Sequence, residues 1–248
     1  MALLVEYDGW NYHGFQCQKN FVTIQEEIEN SIKKFTKETL RVRAAGRTDA
    51  KVHAIGQVVV FDTESDYDTG TITKALNSYL PGDIAVLETH KVSCDFDPRR
   101  HALSRTYVYS LFNGDVHRPL SRKYSGLVKG KLDVEMMKRG SSAFIGTHDF
   151  ERFAGSAKEN SGSFIRTIYK SEIYNESGMV KYVVEGSSFL THQVRRMVGA
   201  LVSLGKGRIT MSQLNELIDN KGTKVAQTMA PEGLCLIKVK YENFPFNK

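Results

Sequence analysis

Two successive groups of short apolar segments, each interrupted by helical patterns, constrain the fold of this chain most strongly. In the first group, runs rich in β-branched residues alternate with amphipathic patterns in the order β-α-β-β-α-β. The first helix begins with Thr23 and Glu26, which match the T-x-x-E capping box. The predicted strands are residues 2–8, 40–44, 56–63 and 83–92, and the predicted helices are residues 23–35 and 71–80. This order is that of a split βαβ unit.

The second group repeats this order with little sequence similarity. A Glu-Ser-Gly turn predicts a β-hairpin, and a mostly apolar helix follows it. The predicted strands are residues 105–112, 164–175, 179–187 and 233–241, and the predicted helices are residues 132–146, 189–204 and 211–219. Two such units in tandem indicate an α/β (α+β) protein with mixed sheets, divided into residues 1–100 and 101–248 near Pro98. A cleft between two packed halves would be a preferred ligand site.

Composition restricts the class of protein and its compartment. With 41% hydrophobic residues, the 248-residue chain is typical of a globular protein. Its 3 cysteines show no metal-ligand or disulfide spacing. The N-terminus lacks the features of a signal peptide, and no apolar run is long enough to span a membrane. We therefore expect a cytoplasmic protein that is not associated with a membrane.

The charge of the chain weakly favours a polyanionic partner. The net charge is +6, from 34 basic and 28 acidic residues. The basic residues cluster near predicted loops and element ends, where phosphate contacts are easily made. These clusters are Arg41, Arg43 and Arg47; Arg99, Arg100 and Arg105; Arg195 and Arg196; and Lys206 and Arg208. Solvated surface charge explains any single cluster equally well.

The segment AAGRTDAKVHA, residues 44–54, combines charged residues with small ones between two predicted strands. Gly46 and the alanines allow a tight turn and close approach to a partner. Asp49 is a candidate for an Asx turn, in which its side chain accepts backbone hydrogen bonds. It is also a candidate nucleophile or base beside Arg47. From the composition of the loop alone, the turn is the favoured interpretation.

Two further features carry candidate chemistry. Arg195 interrupts an otherwise apolar helix, and a buried charge needs a partner. That partner is either a structural carboxylate or a catalytic one such as Asp49, and Gly199 leaves room beside Arg195. On the strand 105–112, Arg105, Tyr107 and Tyr109 alternate on one face, which suits either core packing or the stacking of RNA bases. No metal-ligand pattern and no phosphate-binding glycine motif is present.

Several motifs together resemble a known family. GRTDAKVHA resembles the GRTDAGVHA signature of the tRNA pseudouridine synthase A family, which acts on the tRNA anticodon stem-loop. Further matches follow in the order of that family: YDGWNYHGFQCQ, RTYVY, GTHDFERF, FLTHQVRRMVG and APEGLCL. The resemblance spans nearly the whole chain. It implies two tandem ferredoxin-like halves with mixed, mainly antiparallel sheets around a central basic cleft, and a homodimer.

The resemblance also assigns roles by position. Asp49 matches the catalytic aspartate, Tyr107 the active-site tyrosine, and Arg195 the arginine that pairs with the aspartate. Arg47 matches the arginine that helps to hold the flipped nucleotide. Uridine isomerisation cuts the N1–C1′ bond and joins C5 to C1′, so neither a cofactor nor a metal ion is required. The aspartate can attack carbon or deprotonate the sugar, and the sequence does not choose between these routes.

Lys51 departs from the family pattern because it replaces the glycine after GRTDA. We therefore expect either a backbone without positive φ at this residue or an altered loop. A lysine here also adds positive charge near the RNA path, so Lys51 is a candidate substrate-binding residue. The other candidates for substrate binding are Arg47, Arg105 and Tyr107. Phe15 and Gln193 stand where the family often has tryptophan and methionine. No departure removes a catalytic group.

The function that the resemblance implies is isomerisation of uridine to pseudouridine at positions 38, 39 and 40 of the tRNA anticodon stem-loop. One alternative is a pseudouridine synthase with another RNA target. A second is a non-catalytic RNA-binding module of the same fold. A third, an aspartate-dependent phosphate-ester hydrolase, would need a metal site, and no convincing acidic cluster accompanies Asp49.

Overall fold

A computed structural model describes residues 1–116, 118–155, 162–176, 178–221, 227–242 and 246. The chain divides into two compact units. The first consists of Met1–Leu103 and Cys235–Lys248, and the second of Ser104–Leu234. The last strand of the chain therefore belongs to the first unit.

The first unit contains a split βαβ arrangement. Its elements are β1 (Ala2–Tyr7), α1 (Ile24–Thr36), β2 (Arg43–Ala44), β3 (His53–Val60), α2 (Thr69–Tyr79), β4 (Ile84–His90) and β10 (Leu234–Tyr241). Strands β1 and β2 are both antiparallel to β3, which lies between them, and β4 is antiparallel to β1. The order β4-β1-β3-β2 follows, and β10 pairs with β3 in parallel.

Helix α1 shows how local sequence defines an element. The Thr23 side chain caps the helix by accepting from the Glu26 backbone N–H, as the capping motif predicts. The helix ends where Lys37 adopts the left-handed conformation, with φ +67°. Ile24, Ile28 and Ile32 recur on one face and are buried. The capping motif and this periodicity together predicted both ends of the helix to within one residue.

The second unit also contains a split βαβ arrangement. Its elements are β5 (Ala102–Asn113), β6 (Gly126–Val128), α3 (Val134–Ser142), β7 (Gly146–Asp149), β8 (Ile165–Glu176), β9 (Met179–Gly186), α4 (Gln193–Gly205) and α5 (Met211–Ile218). Strand β9 lies between β5 and β8 and is antiparallel to both, so β5-α3-β8 is again a split βαβ crossover. Strand β7 extends the order to β5-β9-β8-β7, and β6 pairs with β5 in parallel. The predicted α+β class with two ferredoxin-like halves and mainly antiparallel strands is confirmed.

The predicted ends of several elements were wrong, for identifiable reasons. The strand predicted at 40–44 is only two residues long, because the Val42 N–H donates to the Glu29 carboxylate at 3.0 Å. The helix predicted at 189–204 begins at Gln193, since the Gln193 side chain accepts from the Leu190 N–H and His192 has φ +62°.

The helix predicted at 132–146 is Val134–Ser142, and its last residues lead into a strand that was not predicted. The short strand β6 was not predicted either. The hairpin between β8 and β9 is present, with Gly178 at φ +78°, while residue 177 of its turn lies outside the described residues.

Candidate active site

The loop between β2 and β3 carries Arg47, Asp49 and Lys51, and backbone hydrogen bonds hold it at both ends. The Ala45 N–H donates to the Val58 carbonyl at 2.9 Å. Farther along, the Val52 N–H donates to the Asp49 carbonyl at 3.2 Å, which closes a turn. Asp49 therefore lies in a defined turn, whose conformation is set by the chain around it.

The segment after β1 packs against this loop. The Phe15 N–H donates to the Thr48 carbonyl at 3.0 Å, and the Lys51 N–H donates to the Tyr12 carbonyl at 3.2 Å. Gly14 has φ +94°, and a Cβ at this position would lie 2.7 Å from the Thr48 carbonyl oxygen. The glycine is thus required both by its own conformation and by the close approach of the loop.

Three buried polar side chains lie beneath the loop. The hydroxyls of Tyr7 and Thr48 are 2.8 Å apart. Gln57, which is 0% exposed, donates through Nε2 to the Gly46 carbonyl at 2.9 Å and makes a long contact of 3.5 Å with the Tyr7 hydroxyl. Gln57 Oε1 is buried without a hydrogen-bond partner among the described residues. Such an acceptor costs about 1–3 kcal/mol of stability.

Arg47 and Asp49 flank the buried Thr48. Arg47 is exposed and Asp49 is partly exposed, whereas Thr48 is 7% exposed. Burial of Thr48 thus leaves both of its neighbours accessible to a ligand. The loop presents a carboxylate two residues from a guanidinium on a backbone that is held from below.

Lys51 adopts the left-handed backbone conformation, which normally favours glycine. Its φ is +63°, so the expected alternative of a backbone without positive φ is wrong. The left-handed conformation costs a residue with a Cβ roughly 1–2 kcal/mol. The exposed Lys51 side chain places Nζ 4.7 Å from the centroid of the Trp10 ring, a cation–π contact that offsets part of this cost.

In the second unit, Arg105, Tyr107 and Tyr109 alternate on strand β5, and all three are buried. Tyr107 packs edge-to-face against Phe189, with ring centroids 5.3 Å apart. The Arg105 Nη1 donates to the Ser187 carbonyl at 2.8 Å, so its guanidinium fixes the segment after β9. The predicted alternation on one face of this strand is confirmed.

Arg195 lies in the first turn and a half of α4 and is partly exposed. Its Nε donates to the Met229 carbonyl at 2.7 Å, and the Met229 N–H donates to the Arg195 carbonyl at 3.3 Å. A Cβ at Gly199 would lie 1.8 Å from the Gln227 carbonyl oxygen. The room that Gly199 leaves on α4 is therefore occupied by the backbone of Gln227.

Arg196, which the sequence indicated only as part of a basic cluster, is anchored beside Arg195. It donates to the Ala154 carbonyl through Nη1 and to the Thr228 hydroxyl through Nε at 3.1 Å. Burial lowers the pKa of Arg196, and the charge of Arg195 lowers it further. Both arginines thus hold the segment 228–229 against α4.

The predicted site residues are distributed over both units. Arg47, Asp49 and Lys51 share one loop of the first unit, while Arg105, Tyr107 and Arg195 belong to the second. Among the residues that the structure describes, no group of three or more His, Cys, Asp or Glu side chains could hold a metal ion. In the same part of the chain, no helix is long and apolar enough to cross a membrane.

Comparison with known proteins identifies the class as RNA-modifying isomerases. The sequence profile of the family described as tRNA pseudouridine synthase matches residues 3–99 and 141–242. A protein of Acetivibrio thermocellus named tRNA pseudouridine synthase A is 40% identical over 242 residues, covering 97% of this chain and 99% of that protein. Proteins of the same name from Geotalea daltonii and from Thermoanaerobacter sp. strain X514 are 38% and 39% identical, with the same coverage.

The chain therefore belongs to the tRNA pseudouridine synthase family, and the isomerase class expected from its motifs is confirmed. Arg47, Asp49 and Arg195 lie within the matched segments. Arg105 and Tyr107 lie in the stretch between them, which the profile does not match.

Proposed function

We propose that this protein isomerises uridine to pseudouridine at positions 38, 39 and 40 of the tRNA anticodon stem-loop. The observation that carries the proposal is the loop of residues 44–54, in which Asp49 is accessible on a backbone fixed by buried hydrogen bonds. The names of relatives that are about 40% identical over nearly the whole chain support tRNA as the substrate.

Asp49 is assigned to the reacting carboxylate. It either attacks the nucleotide or removes a proton from the sugar, and in both routes the N1–C1′ bond breaks. The base then turns and C5 bonds to C1′, while the bond to Asp49 breaks in the first route or Asp49 returns the proton to the sugar in the second. C5 loses its proton and N1 gains one, directly or through solvent. The product has the same atoms and oxidation state as the substrate, so the step needs no oxidant, reductant or co-substrate.

Tyr107 and Arg195 are assigned to the same reaction. The Tyr107 ring, held edge-on by Phe189, suits stacking on the uracil, and its hydroxyl suits acceptance or relay of the C5 proton. Arg195 is assigned to pairing with the reacting carboxylate. The hydrogen bond from Arg195 Nε to the Met229 carbonyl supports this role, because it holds the guanidinium in one orientation.

The remaining basic residues are assigned to RNA. A target base must leave its stack, which costs a few kcal/mol, and Arg47, whose side chain is exposed, is assigned to filling the vacated space. Lys51 is assigned to a phosphate contact, since its ammonium is exposed above Trp10. For Arg105 we expect a contribution through the segment that it anchors at Ser187. We further expect a homodimer in the cytoplasm.

The direct test is chemical mapping of pseudouridine in unmodified tRNA transcripts incubated with the protein. New pseudouridine confined to positions 38–40 supports the proposal. Product at other RNA positions would instead indicate a paralogue with another target, and tight tRNA binding without product would indicate a non-catalytic module. A parallel reaction in chelator should be unchanged, and sedimentation equilibrium should give twice the chain mass.

A further inference from the structure

The Asp49 loop is tied down at two points on either side of Arg47. On one side, the Gly46 carbonyl accepts from Gln57 Nε2 at 2.9 Å. On the other side, the Thr48 hydroxyl lies 2.8 Å from the Tyr7 hydroxyl. Thr48 directly precedes Asp49, so the second tie fixes the peptide unit from which the carboxylate projects.

The two ties meet at the Tyr7 hydroxyl and form one network. The amide of Gln57 donates from Nε2, which is 3.5 Å from the Tyr7 oxygen. Tyr7 accepts this contact from Gln57, and either hydroxyl donates in the hydrogen bond between Tyr7 and Thr48. Tyr7, Thr48 and Gln57 are all buried, so their hydrogen bonds lie in a low-dielectric environment that strengthens them.

The unsatisfied oxygen of Gln57 indicates that this side chain contributes to the network through its N–H donors. Gln57 Oε1 has no hydrogen-bond partner among the described residues, and the side chain is fully buried. A well-packed apolar side chain of similar size would avoid that unsatisfied acceptor. The glutamine thus supplies its two N–H donors at a cost in stability, and the Gly46 carbonyl beside the candidate active site receives one of them.

We propose that Tyr7 and Gln57 are positioning residues for catalysis. They hold the peptide units on both sides of Arg47 and so keep the Asp49 carboxylate aligned with its target carbon or proton. The inference rests on the proposed reaction of Asp49, because alignment matters only where that carboxylate reacts. A misplacement of about 1 Å is enough to lower a rate on the order of 100-fold.

Tyr7→Phe and Thr48→Val each remove one hydroxyl of the tie with little change in shape. We expect kcat on tRNA to fall roughly 10- to 100-fold while KM changes by less than about threefold. Thr48→Ser keeps the hydroxyl and should recover most of the rate that Thr48→Val loses. Because Tyr7 and Thr48 form one interaction, the double variant should be no slower than the slower single variant.

Tyr241→Phe is the matched control. Tyr241 lies in the same unit, is 2% exposed like Tyr7, and donates its hydroxyl to the Pro98 carbonyl at 2.7 Å. Loss of the Tyr241 hydroxyl should lower the melting temperature about as much as Tyr7→Phe does, and it should leave kcat within twofold of the wild-type value. If Tyr7→Phe also leaves kcat within twofold, or if the two variants lose kcat equally, the positioning role is overturned.

Hydrogen–deuterium exchange provides a readout that does not depend on turnover. In Tyr7→Phe, amides of residues 45–50 should exchange at least tenfold faster, whereas Tyr241→Phe should leave them unchanged. A wild-type protein that makes no pseudouridine would contradict the proposed reaction, while the exchange result would still report on the tie. Unchanged exchange at 45–50 in Tyr7→Phe would contradict the tie itself.

Discussion

The ammonium of Lys51 lies 4.7 Å from the centre of the Trp10 ring, while the Lys51 backbone has φ +63°. A residue with a strained backbone thus projects a positive charge from the candidate catalytic loop, two residues after Asp49. The same backbone conformation occurs at Lys37, with φ +67°, at the end of α1. The two lysines share a charge and a backbone strain but differ in their surroundings.

Glycine substitutions at these lysines should separate strain from contact. Lys37→Gly should raise the free energy of unfolding by about 1 kcal/mol, because glycine adopts positive φ without penalty. Lys51→Gly should gain less, by about 0.5–1 kcal/mol, since it also loses the contact with Trp10. Urea denaturation measures both values. Equal gains in the two variants would show that the contact with Trp10 contributes no more than the exposed hydrogen bond from Lys37 Nζ to the Lys34 carbonyl.

Alanine substitutions at the same lysines test the RNA contact assigned to Lys51. Lys51→Ala should reduce the slope of log K against log salt for tRNA binding by about 0.7–0.9, the value for one phosphate. Lys37→Ala removes the same charge from the end of α1 and should leave the slope unchanged. Filter binding at several salt concentrations gives the slopes. An unchanged slope in Lys51→Ala would remove this residue from the RNA-binding surface.

Tyr107→Phe tests the hydroxyl assigned to proton transfer. The edge-to-face contact with Phe189 survives this change, so we expect binding to be retained while kcat falls about 10²- to 10⁴-fold. Tyr109→Phe on the same strand face is the control, because its hydroxyl donates to the Ala230 carbonyl. It should destabilise the protein by about 1 kcal/mol with little loss of kcat. Equal rates for the two variants would argue against a role in proton transfer.

Gly199→Ala should disrupt the segment that holds Arg195. The added Cβ would meet the Gln227 carbonyl at 1.8 Å, and backbone atoms on both sides leave no easy relief. We expect a loss of stability of about 1–3 kcal/mol together with reduced activity. Gly82→Ala, where no atom lies within 4 Å of the added Cβ, should change neither. Thermal unfolding and turnover measure both effects, and a fully stable, active Gly199→Ala would contradict this packing.

The cysteines should differ in their reactivity toward iodoacetamide. Burial raises the pKa of the Cys235 thiol to about 12, whereas Cys94 is exposed. A raised pKa means less thiolate at pH 8, so Cys235 should react orders of magnitude more slowly than Cys94 in the native protein. In urea the rates should converge. Mass spectrometry of timed digests checks this, and equal native rates would contradict the raised pKa of the Cys235 thiol.

Local signals in the sequence predicted the elements whose ends they define. Helix α1 has its own cap and apolar stripe, so its bounds were predicted closely. The strand at 40–44 and the start of α4 could not be predicted, because side chains compete there with the backbone ladder. Glu29 takes the Val42 N–H, and Gln193 takes the Leu190 N–H. Such bonds depend on where helices place particular polar groups, which periodicity does not reveal.

The candidate site was likewise predicted only in part from the sequence. Asp49 stood out only through the family motif, because its loop composition suits an ordinary turn. The ties made by Tyr7 and Gln57 were not predicted, since they join positions 41 and 11 residues distant along the chain. The alternation of Arg105 and Tyr107 was evident in the strand. What Arg105 contacts, the Ser187 carbonyl, depends on the hairpin that returns beside it.

Pseudouridine formation by Asp49→Asn tests the central claim most directly. The change keeps the size of the side chain and the buried ties beneath it but removes the carboxylate. With unmodified tRNA, the wild-type protein should convert positions 38–40 over many turnovers. The variant should bind tRNA with similar affinity and form no product. Product from Asp49→Asn at a rate near that of the wild type would contradict the role of this carboxylate.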